Sequence, residues 1–288
     1  NGKLDKIQRV ELPSDEDLGI TETTAQNLTG YRNIAIFGVD SRSDDYGVGN
    51  RSDCIIIASI NNDTGAIKLI SVYRDTYVNI EGHGLDKVTH AYSFGEAPLA
   101  IKTLNTNLDL NINEFVTVNF DSVAEAVDQL GGVQLTITAD EIKYINGYID
   151  ETSRVTGKTS SHITQPGTYT VDGVQAVSYS RIRYTDGGDY KRTERMRTVI
   201  EAMFSKLKTK SITEINSFAD KILPHVYTNI SATDILAMVP SMSKYKVTES
   251  IGWPYDTKGK TMDRWYGIPV TLESNVTQLH KEAFGEEL

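Results

Sequence analysis

The sequence predicts a single layered α/β/α domain, in which helices flank both faces of a central mixed β-sheet, and three observations support this fold class. Strand-like and helix-like patterns alternate along the chain, which is typical of layered α/β domains. Residues 54–60 (CIIIASI) are apolar on both faces, as a strand in the middle of a covered sheet must be. A turn signal at 61–65 (NNDTG) joins this run to another at 66–73, so we expect an antiparallel hairpin.

The first half of the chain starts with a polar segment and continues with alternating strands and helices. Residues 1–30 contain only short apolar runs, and we interpret 1–30 as a linker and 31–288 as one domain. The chain begins at Asn1 without a methionine or signal peptide, so we expect an excised fragment. Asp121 as N-cap and a Gly-Gly stop bound one helix. The predicted elements are strands at 33–39, 54–60, 66–73, 114–120 and 133–137, and helices at about 87–108 and 121–130.

The second half of the chain is predicted to be mainly helical. A polar loop is expected at 152–168, and a Gly-Gly break at 187–188 precedes a long amphipathic helix. The predicted elements are helices at 139–149, 172–183, from 189 onward, 211–223, 231–242 and 273–284, and strands near 245–252 and 264–271.

Composition excludes several classes of protein. The net charge of -10 and the pI near 5.0 argue against nucleic acid as a partner, because such binding normally shows a basic surface. The single cysteine, Cys54, rules out an internal disulfide and is expected to be a buried small hydrophobic residue. No run of 18 or more apolar residues occurs, so no segment of this sequence is expected to span a bilayer.

The stretch 181–197 (RIRYTDGGDYKRTERMR) concentrates five arginines and a lysine in this acidic chain. Arginine offers forked donors that match phosphate oxygens two at a time. The cluster therefore predicts a site for a polyanionic group such as a pyrophosphate.

The helix that contains this cluster is predicted to turn part of it inward. Its apolar stripe, projected back at about 100° per residue, places Asp189 and Arg192 on the inward side. The alternative is an internal Asp189–Arg192 ion pair at the helix start, where the dipole favours a carboxylate. Lys191 and Glu194 should face solvent, and Arg195 flanks the stripe. The stripe consists of Met196, Val199, Ile200, Met203, Phe204 and Leu207.

Further charged residues lie at the ends of three predicted strands. Asp40 and Arg42 follow strand 33–39, and Arg51 and Asp53 precede strand 54–60. Arg74 and Asp75 close strand 66–73. If the turn at 61–65 joins neighbouring strands, position 53 lies opposite about position 73. If 33–39 runs parallel to 66–73, Asp40 meets Asp53 and Arg74 at the sheet edge, where ligands of open α/β sheets bind. Two carboxylates beside substrate phosphates suit Mg²⁺.

Five motifs in this order resemble those of the LytR-CpsA-Psr family, which attaches glycopolymers to the bacterial cell wall. They are GVDSR (38–42), RSD (51–53), SVYRDT (71–76), YSRIRY (179–184) and GDYKRTER (188–195), and the resemblance covers about residues 31–284. One departure is Met196, where the family commonly has a glutamine. The resemblance puts the head-group contact at that position in doubt.

The resemblance implies a role for each charged residue. Asp40 and Asp53 are the implied Mg²⁺ ligands. Asp189 is implied to lie near the pyrophosphate as its acidic partner, and Asp189 or Asp75 is the candidate base for the acceptor hydroxyl. The implied pyrophosphate ligands are Arg51, Arg74, Arg181, Arg183, Arg192 and Arg195.

The resemblance also implies the reaction. A polyprenyl-pyrophosphate-linked glycan (teichoic acid, capsular polysaccharide or another wall polymer) is transferred as a glycosyl phosphate to peptidoglycan, and polyprenyl phosphate is released. The lipid requires an apolar tunnel between sheet and helices. Family members carry an N-terminal membrane anchor with the catalytic domain outside the cell. Two alternatives stay open, a pyrophosphatase acting on the same lipid and a non-catalytic lipid- or glycan-binding regulator.

The aromatic segment 253–266 (WPYDTKGKTMDRWY) has two interpretations. It forms either a surface that faces sugar or an exposed loop with ordinary packing.

Overall fold

The computed structural model describes residues 10–41, 45–262 and 264–285. Its strands are β1 (Tyr31–Val39), β2 (Ser52–Asn61), β3 (Ala66–Val72), β4 (Tyr77–Ile80), β5 (Gly84–Lys87), β6 (Glu114–Val118), β7 (Val133–Ile137), β8 (Gly167–Val171), β9 (Tyr227–Thr228), β10 (Lys246–Trp253), β11 (Thr257–Thr261) and β12 (Trp265–Pro269). Its α-helices are α1 (Glu22–Asn27), α2 (Val88–Leu108), α3 (Phe120–Gln129), α4 (Ala139–Thr156), α5 (Gly173–Arg181), α6 (Gly188–Leu207), α7 (Ile212–Ile222), α8 (Ala232–Met238) and α9 (Leu272–Phe284).

A six-stranded mixed sheet with the order β10-β3-β2-β1-β6-β9 forms the centre of the protein. β2 pairs antiparallel with both β1 and β3, whereas β6 runs parallel to β1 and β10 runs parallel to β3. The predicted hairpin around 61–65 is therefore confirmed, as is the parallel direction of β1 and β3. The ends of β1 and β3 and the start of β2 lie at the same edge of the sheet.

Strand β2 is apolar on both faces because each face is covered by helices. Alternate residues of a strand point to opposite sides. Ile55 and Ile57 pack into the core that contains α2 and α9, while Ile56 packs into the core that contains α6. The structure thus confirms a layered domain with a central mixed sheet between helices.

Several local boundaries differ from those predicted. α3 begins before Asp121 because Asn119 caps it, its side chain accepting from Ser122 N. α4 continues to Thr156, into the segment expected to be a loop, and ends at Gly157 with a φ of 69°. β7 and β8 form a separate two-stranded sheet. The strand predicted near 264–271 forms as β12, but its partner β11 and the hairpin of β4 and β5 were not predicted, because these strands are short and partly polar.

The segment expected to be a linker packs on the domain over its described part. Leu18 and Leu28 are fully buried in the core that includes β1 and α2. α1 lies between them, capped by Thr21. The apolar runs between residues 10 and 30 are short, but Leu18, Ile20 and Leu28 from this stretch still fill core positions.

Candidate functional site

A large cavity lies between the central sheet and helix α6. Its volume is about 630 Å³. Ile36 and Val116 line it from the sheet, and Val123 and Phe120 line it from α3. The α6 residues Met196, Val199, Ile200, Met203, Phe204 and Leu207 form the rest of this apolar lining. The stripe recognised in the sequence therefore borders an internal cavity.

The lining of the cavity becomes charged at the edge of the sheet where β1 ends and β2 begins. Asp40 and Asp53 lie on one side, and Arg181, Arg183 and Arg192 come from the 181–197 cluster. Asp40 and Arg183 are exposed, whereas Arg192 is only 6% exposed. The cavity thus has an apolar interior and a charged end, which is the arrangement that an anionic amphiphile requires.

An alternating row of charges extends from this end of the cavity. Arg74 Nη1 lies 2.6 Å from Asp53 Oδ1, as the predicted strand pairing requires. Arg74 Nε lies 3.9 Å from Asp75 Oδ1, and Lys87 Nζ lies 2.8 Å from the same oxygen. Arg192 Nη2 also donates a long hydrogen bond of 3.5 Å to the Asp53 carbonyl. These contacts fix β2, β3 and α6 to one another at the sheet edge.

Arg181 lies in the cavity wall but is also held by protein groups. Its Nη2 pairs with Glu151 at 3.0 Å and its Nη1 donates to Thr152 Oγ1 at 3.1 Å. Its guanidinium carbon lies 4.7 Å from the Phe120 ring centroid, in a cation–π geometry. Arg181 is therefore pre-oriented at the cavity wall.

Three of the expected pyrophosphate ligands do not line the cavity. One of them, Arg74, still reaches the cavity edge through its ion pair with Asp53. Arg195 is buried and donates to the Ile182 carbonyl at 3.0 Å and to Thr185 Oγ1 at 2.6 Å, with Glu141 Oε1 3.4 Å away. It is offset from Arg192 by only about 60° around the helix axis, and its side chain turns toward the loop after α5. Arg51 is exposed to solvent and is absent from the residues that line the cavity.

Some of the other residues singled out in the sequence can be located in the structure, and others lie outside its described part. Lys191 and Glu194 pair with each other on the solvent side of α6, as predicted. The side chain of Asp189 and the whole of Arg42 lie outside the described residues. Met196 lines the cavity as an apolar residue.

Cys54 lies in the cavity wall, and its thiol is expected to be unreactive. Burial raises the pKa of its thiol to about 12, so almost no nucleophilic thiolate forms near neutral pH. The expectation of a buried small hydrophobic residue is confirmed.

A second, smaller cleft of about 270 Å³ lies beside the first. Arg74 and Asp75 line it together with the aromatic residues Tyr73, Tyr190 and Trp265. The sequence signal for it was the aromatic segment 253–266, whose packing depends on the hairpin of β11 and β12 that no periodicity indicated.

Comparisons with known proteins agree on one family. Residues 5–280 match the model of the LytR_cpsA_psr family. The chain is 32% identical over 233 residues to the polyisoprenyl-teichoic acid–peptidoglycan teichoic acid transferase TagT of Bacillus subtilis (strain 168), covering 78% of this chain and 69% of the relative. It is 34% identical over 209 residues to the enzyme named TagU of Enterococcus faecalis (strain ATCC 700802 / V583), covering 70% of this chain and 62% of that relative.

The fold agrees with that of a solved relative. A structure described as TagT bound to LIIa-WTA superposes with a TM-score of 0.73 at 26% identity, covering 91% of this chain and 92% of that one. Among the helices described for this chain, none is both long and apolar enough to cross a bilayer.

Proposed function

This chain belongs to the LytR-CpsA-Psr family, and on that premise we propose that it transfers a glycopolymer from a polyprenyl pyrophosphate carrier to peptidoglycan. The observation that carries the proposal is the large cavity, with its apolar interior and its charged end. Transfer of an isoprenoid chain from water into such an apolar interior lowers the free energy of the system. Its pyrophosphate would then lie among arginines. The names of the relatives make teichoic acid the first polymer to test, ahead of capsular polysaccharide.

In the proposed complex, arginines of three elements hold the pyrophosphate. Arg181 is the last residue of α5, Arg183 follows that helix, and Arg192 projects from α6. Arg74, at the end of β3, reaches the same edge through its ion pair with Asp53. Forked guanidinium donors suit phosphate oxygens and stay charged at any physiological pH.

The proposed metal is Mg²⁺, with Asp40 and Asp53 as its protein ligands. The Asp40 and Asp53 carboxylates both line the charged end of the cavity, although Asp53 Oδ1 is also paired with Arg74 at 2.6 Å. Carboxylate oxygens are the protein ligands that a hard cation such as Mg²⁺ takes. Within the described ranges no group of three or more His, Cys, Asp or Glu residues could hold a metal. Substrate phosphate and water would therefore complete the coordination, as is common for Mg²⁺, and the bound ion would offset phosphate charge.

The proposed chemistry is phosphoryl transfer. A hydroxyl oxygen of peptidoglycan bonds to the glycan-linked phosphorus, and the bond from this phosphorus to the polyprenyl phosphate breaks. The hydroxyl proton passes to a carboxylate, for which Asp75 and Asp189 are the candidates. Such reactions depend mainly on positioning and charge stabilisation. Peptidoglycan and the lipid carrier meet at the outer face of the cytoplasmic membrane, so the proposed reaction requires the domain to act on the extracellular side.

The test is a transfer reaction with the purified domain. Lipid-pyrophosphate-linked glycan, Mg²⁺ and peptidoglycan fragments should yield linked polymer and polyprenyl phosphate. Arg192→Ala should lower the rate by about 10² or more, because a donor to the transition state is lost. Lys191→Ala is the matched control, since this neighbouring cation faces solvent and should leave the rate unchanged. Unaltered transfer by Arg192→Ala contradicts the arginine assignment, and release of phosphate without linked product would favour the pyrophosphatase.

A further inference from the structure

The smaller cleft adjoins the charged end of the large cavity. Arg74 lines the cleft while its partner Asp53 lines the cavity, and their ion pair of 2.6 Å lies between the two. Asp75, the residue after Arg74, lines the cleft only. A molecule in the cleft would therefore approach the proposed pyrophosphate site from a side that the lipid does not occupy.

One wall of the cleft is the indole of Trp265. This side chain is 43% exposed. A Cβ atom placed on Gly259, across the hairpin, would lie 2.8 Å from the indole Nε1, and one on Gly267 would lie 3.4 Å from the ring. The ring therefore lies close against a glycine surface of the hairpin, and its open side is available to a ligand. A side chain at Gly259 would displace it.

The hairpin that carries Trp265 is fixed to the strand end that carries Asp75. Gly267 N donates to the Asp75 carbonyl at 2.9 Å. The neighbouring Tyr266 packs edge-on against Tyr77, with ring centroids 5.1 Å apart, and Lys87 Nζ lies 5.2 Å from the Tyr266 ring centroid. The position of the indole relative to the carboxylate of Asp75 is thus set by backbone and ring contacts.

A second aromatic wall comes from the first turn of α6. Tyr190 is 40% exposed and packs edge-on against Tyr73, with ring centroids 4.4 Å apart. Arg192 follows two positions later on the same helix. The cleft therefore combines two exposed aromatic side chains with a carboxylate, which is the lining that suits a sugar ring.

We propose that this cleft binds a pyranose ring of the acceptor glycan, stacked on Trp265, with a hydroxyl directed to Asp75. The inference rests on the proposed function, in which a sugar hydroxyl is the acceptor. The C–H face of a pyranose is attracted to the negative face of an aromatic ring. The Asp75 carboxylate, held by Lys87, retains lone pairs that accept hydrogen bonds from sugar hydroxyls.

Binding is tested by intrinsic fluorescence, because the chain has only two tryptophans. Trp253 is fully buried, so a change on adding ligand reports Trp265. The probe is a glycan strand of alternating N-acetylglucosamine and N-acetylmuramic acid. We expect a saturable change that is absent from Trp265→Ala. No change with the unaltered protein would overturn the proposal.

Steady-state kinetics distinguishes an effect on acceptor binding from an effect on donor binding. Trp265→Ala should raise the KM for the acceptor about tenfold, as loss of an aromatic anchor does, without changing the KM for the lipid donor. Trp265→Tyr should recover much of the loss. Phe94→Ala, which removes another exposed aromatic ring, is the control and should have no effect.

Two kinetic outcomes would also overturn the proposal. One is an unchanged acceptor KM in a Trp265→Ala variant that retains the melting temperature of the original protein. The other is an equal loss of donor affinity. If the unaltered protein binds the glycan strand through Trp265 but forms no linked product with any donor, the proposed transfer fails while the cleft assignment stands.

Discussion

Arg192 and Arg195 stand three positions apart on α6 and are both buried, yet their surroundings differ. Arg192 lines the large cavity. Arg195 instead bridges the Ile182 carbonyl, Thr185 and Glu141. The sequence places both in one arginine cluster, and only the direction of each side chain separates a ligand-facing residue from one that holds a loop. We therefore assign Arg195 to stability.

Substitution of Arg195 should test that assignment. Arg195→Ala leaves Glu141, which is 8% exposed, without its cation, and removal of one partner of a buried pair costs about 3–5 kcal/mol. We expect the free energy of unfolding in urea to fall by about that amount. Arg183→Ala, which removes an exposed arginine, should leave the free energy of unfolding within about 0.5 kcal/mol of the original value. Equal stabilities of the two variants would contradict the assignment.

At the scale of the element, α6 shows what an amphipathic pattern establishes. The stripe of apolar residues predicts a helix with one inward face, and the helix forms over Gly188–Leu207. The same pattern does not distinguish a face that packs tightly on a sheet from one that borders an empty space. The cavity exists because α3, α5 and the sheet together leave a gap, and this is a property of their relative positions.

A larger side chain placed in the cavity should show whether this space is a ligand site or part of the packed core. Met203 lines it, so Met203→Trp has room to enter the space. We expect the free energy of unfolding to change by less than about 1 kcal/mol and binding of the lipid donor to weaken about tenfold or more, because the new ring competes with the isoprenoid chain. Donor binding is measured by titration with polyprenyl pyrophosphate.

The control for this substitution is a packed position. Ile145 of α4 is fully buried and does not line the cavity. Ile145→Trp should lower the free energy of unfolding by about 1–3 kcal/mol, the usual cost of overpacking. If Met203→Trp is as destabilising and leaves donor binding unchanged, the cavity is not the lipid site.

The central strands were predictable from sequence because their apolar runs and turn signals are local. The pairing of Asp53 with Arg74 followed from the register of one hairpin. Trp265 was predicted to lie in an aromatic segment and a strand, but not in a cleft, because that position depends on the β11–β12 hairpin docking beside Asp75. Long-range docking of short strands leaves no periodic signal in the sequence.

At the scale of the whole molecule, the two cavities meet at one ion pair. Asp53 faces the large cavity and Asp75 faces the cleft, and Arg74 contacts both carboxylates, at 2.6 and 3.9 Å. A residue confined to one cavity should influence only its own substrate. Arg74 should influence both, because its loss removes the cation of Asp53 and leaves Asp75 with Lys87 as its remaining cation.

Double-mutant cycles for kcat/KM of transfer test this division. Arg183→Ala and Trp265→Ala lie in different cavities and should be additive within about 0.5 kcal/mol. Arg74→Ala should raise the KM of both donor and acceptor. Its coupling with each of the other two variants should be about 0.5–3 kcal/mol, the range for residues that share partners. Strong coupling between Arg183→Ala and Trp265→Ala, or an Arg74→Ala variant impaired for one substrate only, would contradict two separate sites that meet at Arg74.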